Sequence, residues 1–240
     1  MGVKKHQASR PRIIAFYSPQ GGVGVTQYTA STCIRGQEHG LDVVGATLGW
    51  NHDLRPQLGH AGVRWQDGLD SMPETCDLLV LDIQSGSGLL DVVKPDLWIV
   101  PMRRGVNLDH TMSLRPSLEG VVWWLPTHGW APHRLPAEAR DVTLARTIPN
   151  SDAMIQCWDA MRSVWSSHPK SSAATAVESL VAAMFAHVGL AGACGDLRRL
   201  SYRGKPKRGW KRDHDYPARK EAARPRLAAY FEKTRLQRAN

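Results

Sequence analysis

No apolar run in this 240-residue chain approaches the ~20 residues that a membrane-crossing helix needs, so no helical span is expected. The opening Met1-Gly2-Val3-Lys4-Lys5-His6 lacks the apolar core of a secretory signal. It also carries His6 where a myristoylation motif takes serine or threonine. Cysteine is scarce. Cys33, Cys76, Cys157 and Cys194 are widely scattered and form no Cys-x-x-Cys pair, which points to reduced cytoplasmic thiols and argues against zinc or a disulfide framework. The histidines show no metal-binding spacing either, and His128 and His133, in a stretch rich in Pro, Gly and Trp, read as solvated. No structural metal is expected.

Acidic residues are the minority: 22 Asp and Glu stand against 31 Lys and Arg, a net charge of +9. The imbalance is local. Residues 198–240 hold fifteen basic and four acidic side chains, a net +11, which leaves −2 for everything before them. A segment of that kind attracts polyanions, nucleic acid first among them. The 42% of hydrophobic residues suffices for one sizeable α/β core beside this appendage.

The stretch Ser18-Pro19-Gln20-Gly21-Gly22-Val23-Gly24-Val25-Thr26 is the most informative part of the chain. The apolar run Arg12 to Tyr17 before it reads as a buried parallel strand. Thr26 to Gly40 after it reads as a helix with a glycine stop. Strand, glycine-rich turn and helix together make a phosphate cradle of backbone N–H groups at a helix N-terminus. Such loops normally end Gly-Lys-Ser/Thr, the lysine reaching the phosphates and the hydroxyl holding Mg²⁺. Thr26 keeps the hydroxyl, but Val25 stands in the lysine position.

Gln20 to Thr26 resembles the deviant Walker A motif, Lys-Gly-Gly-x-Gly-Lys-Thr, of the ParA/MinD family, with Gln20 and Val25 in place of its two lysines. In that family the first lysine reaches across a nucleotide-sandwiched dimer and the second serves its own subunit. The resemblance implies ATP or ADP with Mg²⁺ as ligands. It names Gly21, Gly22, Val23, Gly24, Val25 and Thr26 as nucleotide-binding residues, with Thr26 as a Mg²⁺ ligand. Asp77-Leu78-Leu79-Val80-Leu81-Asp82 resembles the Walker B strand, whose terminal carboxylate holds Mg²⁺. Asp82 is therefore the second metal residue, and the catalytic candidate if the protein hydrolyses ATP.

Other family positions are changed. The strand over Leu41 to Thr47 leads, in the family, into Asp-x-Asp-Pro-Gln. Here it leads into Leu48-Gly49-Trp50-Asn51, both acids are missing, and Asp53 lies several residues beyond the expected strand end. Further strands are expected over Pro95 to Pro101, Val121 to Leu125 and Val142 to Pro149. Helices are expected over Asn107 to Leu118, Asn150 to Val164 and from about Ser171 to Val188, with one more inside the connection from Asn51 to Pro73. The bulky Trp124 to Trp130 stretch reads mainly as core or lid packing.

The resemblance covers residues 11–188 and implies an α/β fold, the doubly wound and mainly parallel sheet of phosphate-loop NTPases. Residues 189–197 read as a linker and 198–240 as a basic tail. Arg203-Gly204-Lys205-Pro206-Lys207-Arg208 in that tail resembles an AT-hook core. Arg203, Lys205, Lys207, Arg208, Lys211 and Arg212 are its candidate DNA contacts.

Loss of both loop lysines removes two charge-assisted contacts of roughly 1.5–3 kcal/mol each, a weakening of about two to four powers of ten. The favoured reading is a degenerate ATPase with weak or no hydrolysis that acts as a partition or positioning protein. It would form a homodimer or engage a partition or secretion adaptor, and bind DNA through its tail. One alternative is a slow but active partition ATPase whose missing charge comes from Arg103 or Arg104. The other is a MinD-like accessory of a secretion or cellulose-export machine.

Overall fold

Among the described residues six short strands form one sheet, all neighbours parallel, in the order β3-β2-β4-β1-β5-β6. The structure is a computed structural model and describes residues 10–49, 53–69, 75–85, 90, 92–103, 117–128, 147–149 and 151–191. The strands are β1 (Arg12–Tyr17), β2 (Val43–Leu48), β3 (Arg64–Asp67), β4 (Leu78–Ile83), β5 (Leu97–Met102) and β6 (Val122–Pro126). The helices among the described residues are α1 (Val25–Glu38), α2 (Leu54–Ala61), α3 (Asp152–Asp159), α4 (Val164–Ser167) and α5 (Ser172–His187). The chain winds one way from β1 through β2 to β3 and returns through β4, β5 and β6, the doubly wound α/β pattern expected from the sequence.

The central strands are apolar throughout because each must bury both of its faces. Ile14 and Phe16, Leu78 and Val80, and Leu97 and Ile99 share a core with Tyr28 and Cys33 of α1, Met154 of α3, and Val177, Val181 and Phe185 of α5. The alternate residues Ile13, Ala15, Tyr17, Leu79, Leu81, Trp98, Val100 and Trp124 build a second core on the opposite face. Trp124 is fully buried there, so at this position the packing reading of the tryptophans is correct.

The centre of the sheet is fixed by hydrogen bonds at its lower end. Asp96 accepts from the Ile13 amide at 2.8 Å through its carboxylate, while its own amide donates to the Ile13 carbonyl at 2.8 Å. This sets β5 beside β1 in the register Ile14↔Leu97, Ala15↔Trp98 and Phe16↔Ile99. On the other side β4 pairs with β1 from Arg12↔Leu78 to Tyr17↔Ile83. The helices are fastened by side chains as well. Gln27 of α1 donates to the Met154 carbonyl at 2.6 Å, Gln57 of α2 to the Trp158 carbonyl at 2.8 Å, and Arg35 of α1 pairs with Glu178 of α5.

Three expectations change. The helix anticipated over Asn150 to Val164 ends early, at Asp159, because Met161 takes a left-handed conformation (φ 50°) and turns the chain after Ala160; the short α4 starts only at Val164. Thr147–Pro149, the described end of the anticipated last strand, is not in a strand, although the Ile148 amide donates to the Pro126 carbonyl at 3.0 Å. β3 appears where only a connection and a helix were read, since Arg-Trp-Gln-Asp carries no apolar alternation and is held by backbone pairing to β2. The anticipated helix over 107–118 falls mostly outside the described residues, as do 142–146 and the tail. No helix among the described residues is long and apolar enough to cross a membrane.

Candidate functional site

The loop after β1 takes the shape its glycines permit. Gly22 (φ 71°) and Gly24 (φ 93°) both adopt left-handed backbone that side-chain-bearing residues rarely take. A Cβ on Gly24 would also lie 3.0 Å from the buried Tyr28 ring, so the next turn of α1 packs directly beneath the loop. Gly24 ends the loop as the N-cap of α1. No side chain caps that end and the first turn holds no acidic residue, so the leading amides of the helix remain available to an anion.

Neither altered position offers a positive charge to a phosphate. Val25 is the first residue of α1 and packs against the main hydrophobic core, where a lysine would extend towards the ligand. Gln20 is only 8% exposed, in a turn where its amide donates to Ser18 Oγ at 3.2 Å. Among the described residues from Ser18 to Thr26 there is no cation.

One acidic residue, Asp82, is in place beside the loop. Asp82 sits near the C-terminal end of β4, paired in register with Phe16 of β1 and Thr47 of β2, and is 1% exposed. Neither carboxylate oxygen completes a hydrogen bond of ordinary geometry, yet the Thr26 hydroxyl is near enough to favour the charged form. Burial dominates, pushing the Asp82 pKa up to about 6, and the charge of Asp53 adds to the rise. A buried carboxylate and a hydroxyl, both hard oxygen donors at the mouth of a phosphate-type loop, fit Mg²⁺. Among the described residues no cluster of three or more His, Cys, Asp and Glu side chains forms a separate metal site.

Two residues join this site that the motif alone did not place there. Asp53, the residue before α2, lies beyond the expected strand end in sequence but acts electrostatically on Asp82. The signal was its position just after β2, the strand adjacent to β4. Arg103, directly after β5, is exposed, and a Cβ on Gly22 would lie 3.7 Å from its Nη1. Across from it, beyond β6, the Thr127 hydroxyl and His128 Nδ1 are 2.8 Å apart. His128 is exposed, as anticipated, and its pKa is lowered by desolvation first and by the Arg103 charge second. Arg104, Trp50 and the candidate DNA contacts Arg203, Lys205, Lys207, Arg208, Lys211 and Arg212 lie outside the described residues.

Comparison of the whole fold with solved structures places it. The cell division ATPase MinD of Pyrococcus furiosus superposes with a TM-score of 0.55, at 17% identity over 77% of this chain and 98% of that one. The chain has the MinD fold. MinD of Pyrococcus horikoshii, solved with Mg-ADP, gives 0.53 at 16% identity over 81% of this chain and 100% of that one. A Cyanothece McdA–ATP complex gives 0.54 at 12% identity over 76% and 98%. No protein-family profile and no curated protein matches the sequence. The likeness to MinD is therefore one of architecture, at 16–17% identity.

Proposed function

We propose that this chain is a ParA/MinD-like positioning protein that keeps a nucleotide scaffold, hydrolyses ATP weakly or not at all, and binds nucleic acid through its basic tail. The observation that carries the reading is the contrast between position 25 and position 82. Val25 packs into the core where the phosphate-binding lysine would be, while Asp82 remains buried near Thr26 as a metal site would require. The amides of Gly21 to Val25 would hold the phosphates, and Thr26 and Asp82 would hold Mg²⁺. Bound there, the ion would neutralise phosphate charge. The side chains themselves would position the nucleotide and exclude water from Asp82.

Two MinD-fold neighbours were solved with Mg-ADP or ATP, which supports the nucleotide part of the reading. A homodimer would be held without the cross-subunit lysine, since Gln20 stands in its place. Paired titrations of the full chain with Mg-ATP and with duplex DNA test the proposal, beside a turnover assay. We expect weak ATP binding, near-background hydrolysis and salt-sensitive DNA binding. Turnover at the level of an active MinD, abolished by Asp82→Ala, would refute the degenerate reading and favour the slow or active ATPase.

A further inference from the structure

Resting on the reading of the loop as a phosphate site, we propose that Arg103 supplies from β5 the positive charge that the loop itself has lost. The register of the sheet brings it there. Phe16 of β1 pairs with Ile99 of β5 and the two strands are parallel, so Arg103, directly after β5, lies at the same end of the sheet as the loop after β1. At that end its guanidinium rests against the loop, with Nη1 3.7 Å from where a Cβ of Gly22 would be. A Cβ at position 22 would meet it in ordinary van der Waals contact, so the guanidinium lies directly beside the loop backbone.

The surroundings suit an anion. The first turn of α1 offers uncapped amides, and no ion pair holds Arg103 to a carboxylate among the described residues. The buried carboxylate of Asp82 marks the same loop as a place where a cation accompanies the anion. A guanidinium is always charged and presents a planar fork that matches two phosphate oxygens, which a lysine cannot do. The ligand class is therefore a nucleoside di- or triphosphate gripped from the β5 side of the loop, where the conventional lysine would grip from the helix side. With Arg103 in place, the loop keeps a positive charge although Val25 packs against the core.

The test is a titration of the full chain with Mg-ADP, Mg-ATP and adenosine. It compares wild type with Arg103→Ala, Arg103→Lys, Val25→Lys and the Val25→Lys/Arg103→Ala double variant. Lys94→Ala, an exposed lysine paired with Glu119, serves as the charge control. Far-UV circular dichroism and thermal melting check that each variant folds, which exposure of Arg103 favours. Arg103→Ala should weaken Mg-ADP by roughly ten- to a hundredfold, the loss expected of one charge-assisted contact. Arg103→Lys should retain part of the affinity, adenosine should be indifferent, and Lys94→Ala should have no effect. Val25→Lys should rescue Arg103→Ala, because both supply the same charge, and this non-additivity is not expected of a merely structural arginine.

If wild type binds Mg-ADP and Arg103→Ala binds it equally well, the inference fails while the site reading stands. Equal losses from Arg103→Ala and Lys94→Ala would reduce the effect to general charge and overturn it too. Loss of DNA affinity with ADP affinity kept would assign Arg103 to a nucleic-acid surface instead. If wild type binds neither nucleotide, the phosphate-site reading itself falls, and this inference with it.

Discussion

At position 25 a single side chain decides how the site is used. Val25 gains core packing at the first turn of α1, whereas a lysine there would have to turn its ammonium out towards the loop. The backbone cradle does not depend on that choice, because its shape comes from Gly22, Gly24 and the Tyr28 ring beneath them. In the Arg103→Ala background Val25→Lys should therefore raise Mg-ATP affinity, by roughly tenfold or more for one restored charge-assisted contact. Isothermal titration of a folded variant checks this, and unchanged affinity would mean that the cradle does not present its amides. Asp82 offers a second handle. Its pKa is raised from 3.8 to about 6 in the folded chain, so its contribution to stability is fully present below 3.8 and is lost as pH rises through 6. A two-unit rise corresponds to roughly 3 kcal/mol once the carboxylate is ionised. In the presence of a chelator, Asp82→Asn should melt higher than wild type at pH 7.5 and gain little at pH 4. Added Mg²⁺ should stabilise wild type and leave Asp82→Asn unmoved. Equal melting of the two chains across this pH range would show that Asp82 carries no burial penalty.

Among the secondary elements, the buried strands announced themselves, and the reason is physical. A central parallel strand is covered on both faces, so Ile13 to Tyr17 and Leu78 to Ile83 had to be nearly continuous apolar runs, and their boundaries were read to within a residue or so. Asp82 stood out as the one acid in such a run. β3 was invisible because an edge strand can be stabilised by backbone pairing on one side alone, and Arg64–Asp67 shows no apolar face. Arg103 was legible as a candidate charge donor beside Arg104, and Asp53 only as an acid beyond the strand end. Their meeting with the loop and with Asp82 depends on the sheet order, in which β5 and β4 flank β1. The break between α3 and α4 was hidden for another reason, since the chain uses Met161, not glycine, at a left-handed turn. The Met161 amide donates to the Trp158 carbonyl and the Arg162 amide to Cys157, closing the helix end around a conformation that methionine adopts at a cost. With Met161 43% exposed, little packing is at stake. Met161→Gly should therefore stabilise the chain by about 0.5–1 kcal/mol, seen as a rise in melting temperature. A fall would show that the side chain contributes more by contact than it loses by strain.

For the whole molecule the decisive quantity is where the charge lies. Residues 198–240 carry +11 and the preceding chain −2, so phosphate attraction should reside almost wholly in the final segment. Among the described residues α5 ends at His187 and the last side chain packed against a hydrophobic core is Leu190, ahead of the basic segment. A chain ending at residue 197 should thus fold, with a melting temperature close to that of the full protein, and lose its DNA binding. For the full chain, if roughly six to eight basic side chains meet phosphates, log K against log salt should fall with a slope of about −5 to −7. The AT-hook resemblance makes a sharper demand, because Arg203, Lys205 and their neighbours would enter a narrow A·T minor groove. A·T-rich duplex should then bind more tightly than G·C-rich duplex, and Arg203→Ala should erase that preference while Arg235→Ala lowers both affinities alike. Fluorescence anisotropy over a salt series measures slope and preference together. Equal effects from the two substitutions would reduce the tail to an unspecific polycation. DNA binding that survives the truncation would move the interface onto the α/β domain, and Arg103 would then have to be tested for nucleic acid before nucleotide.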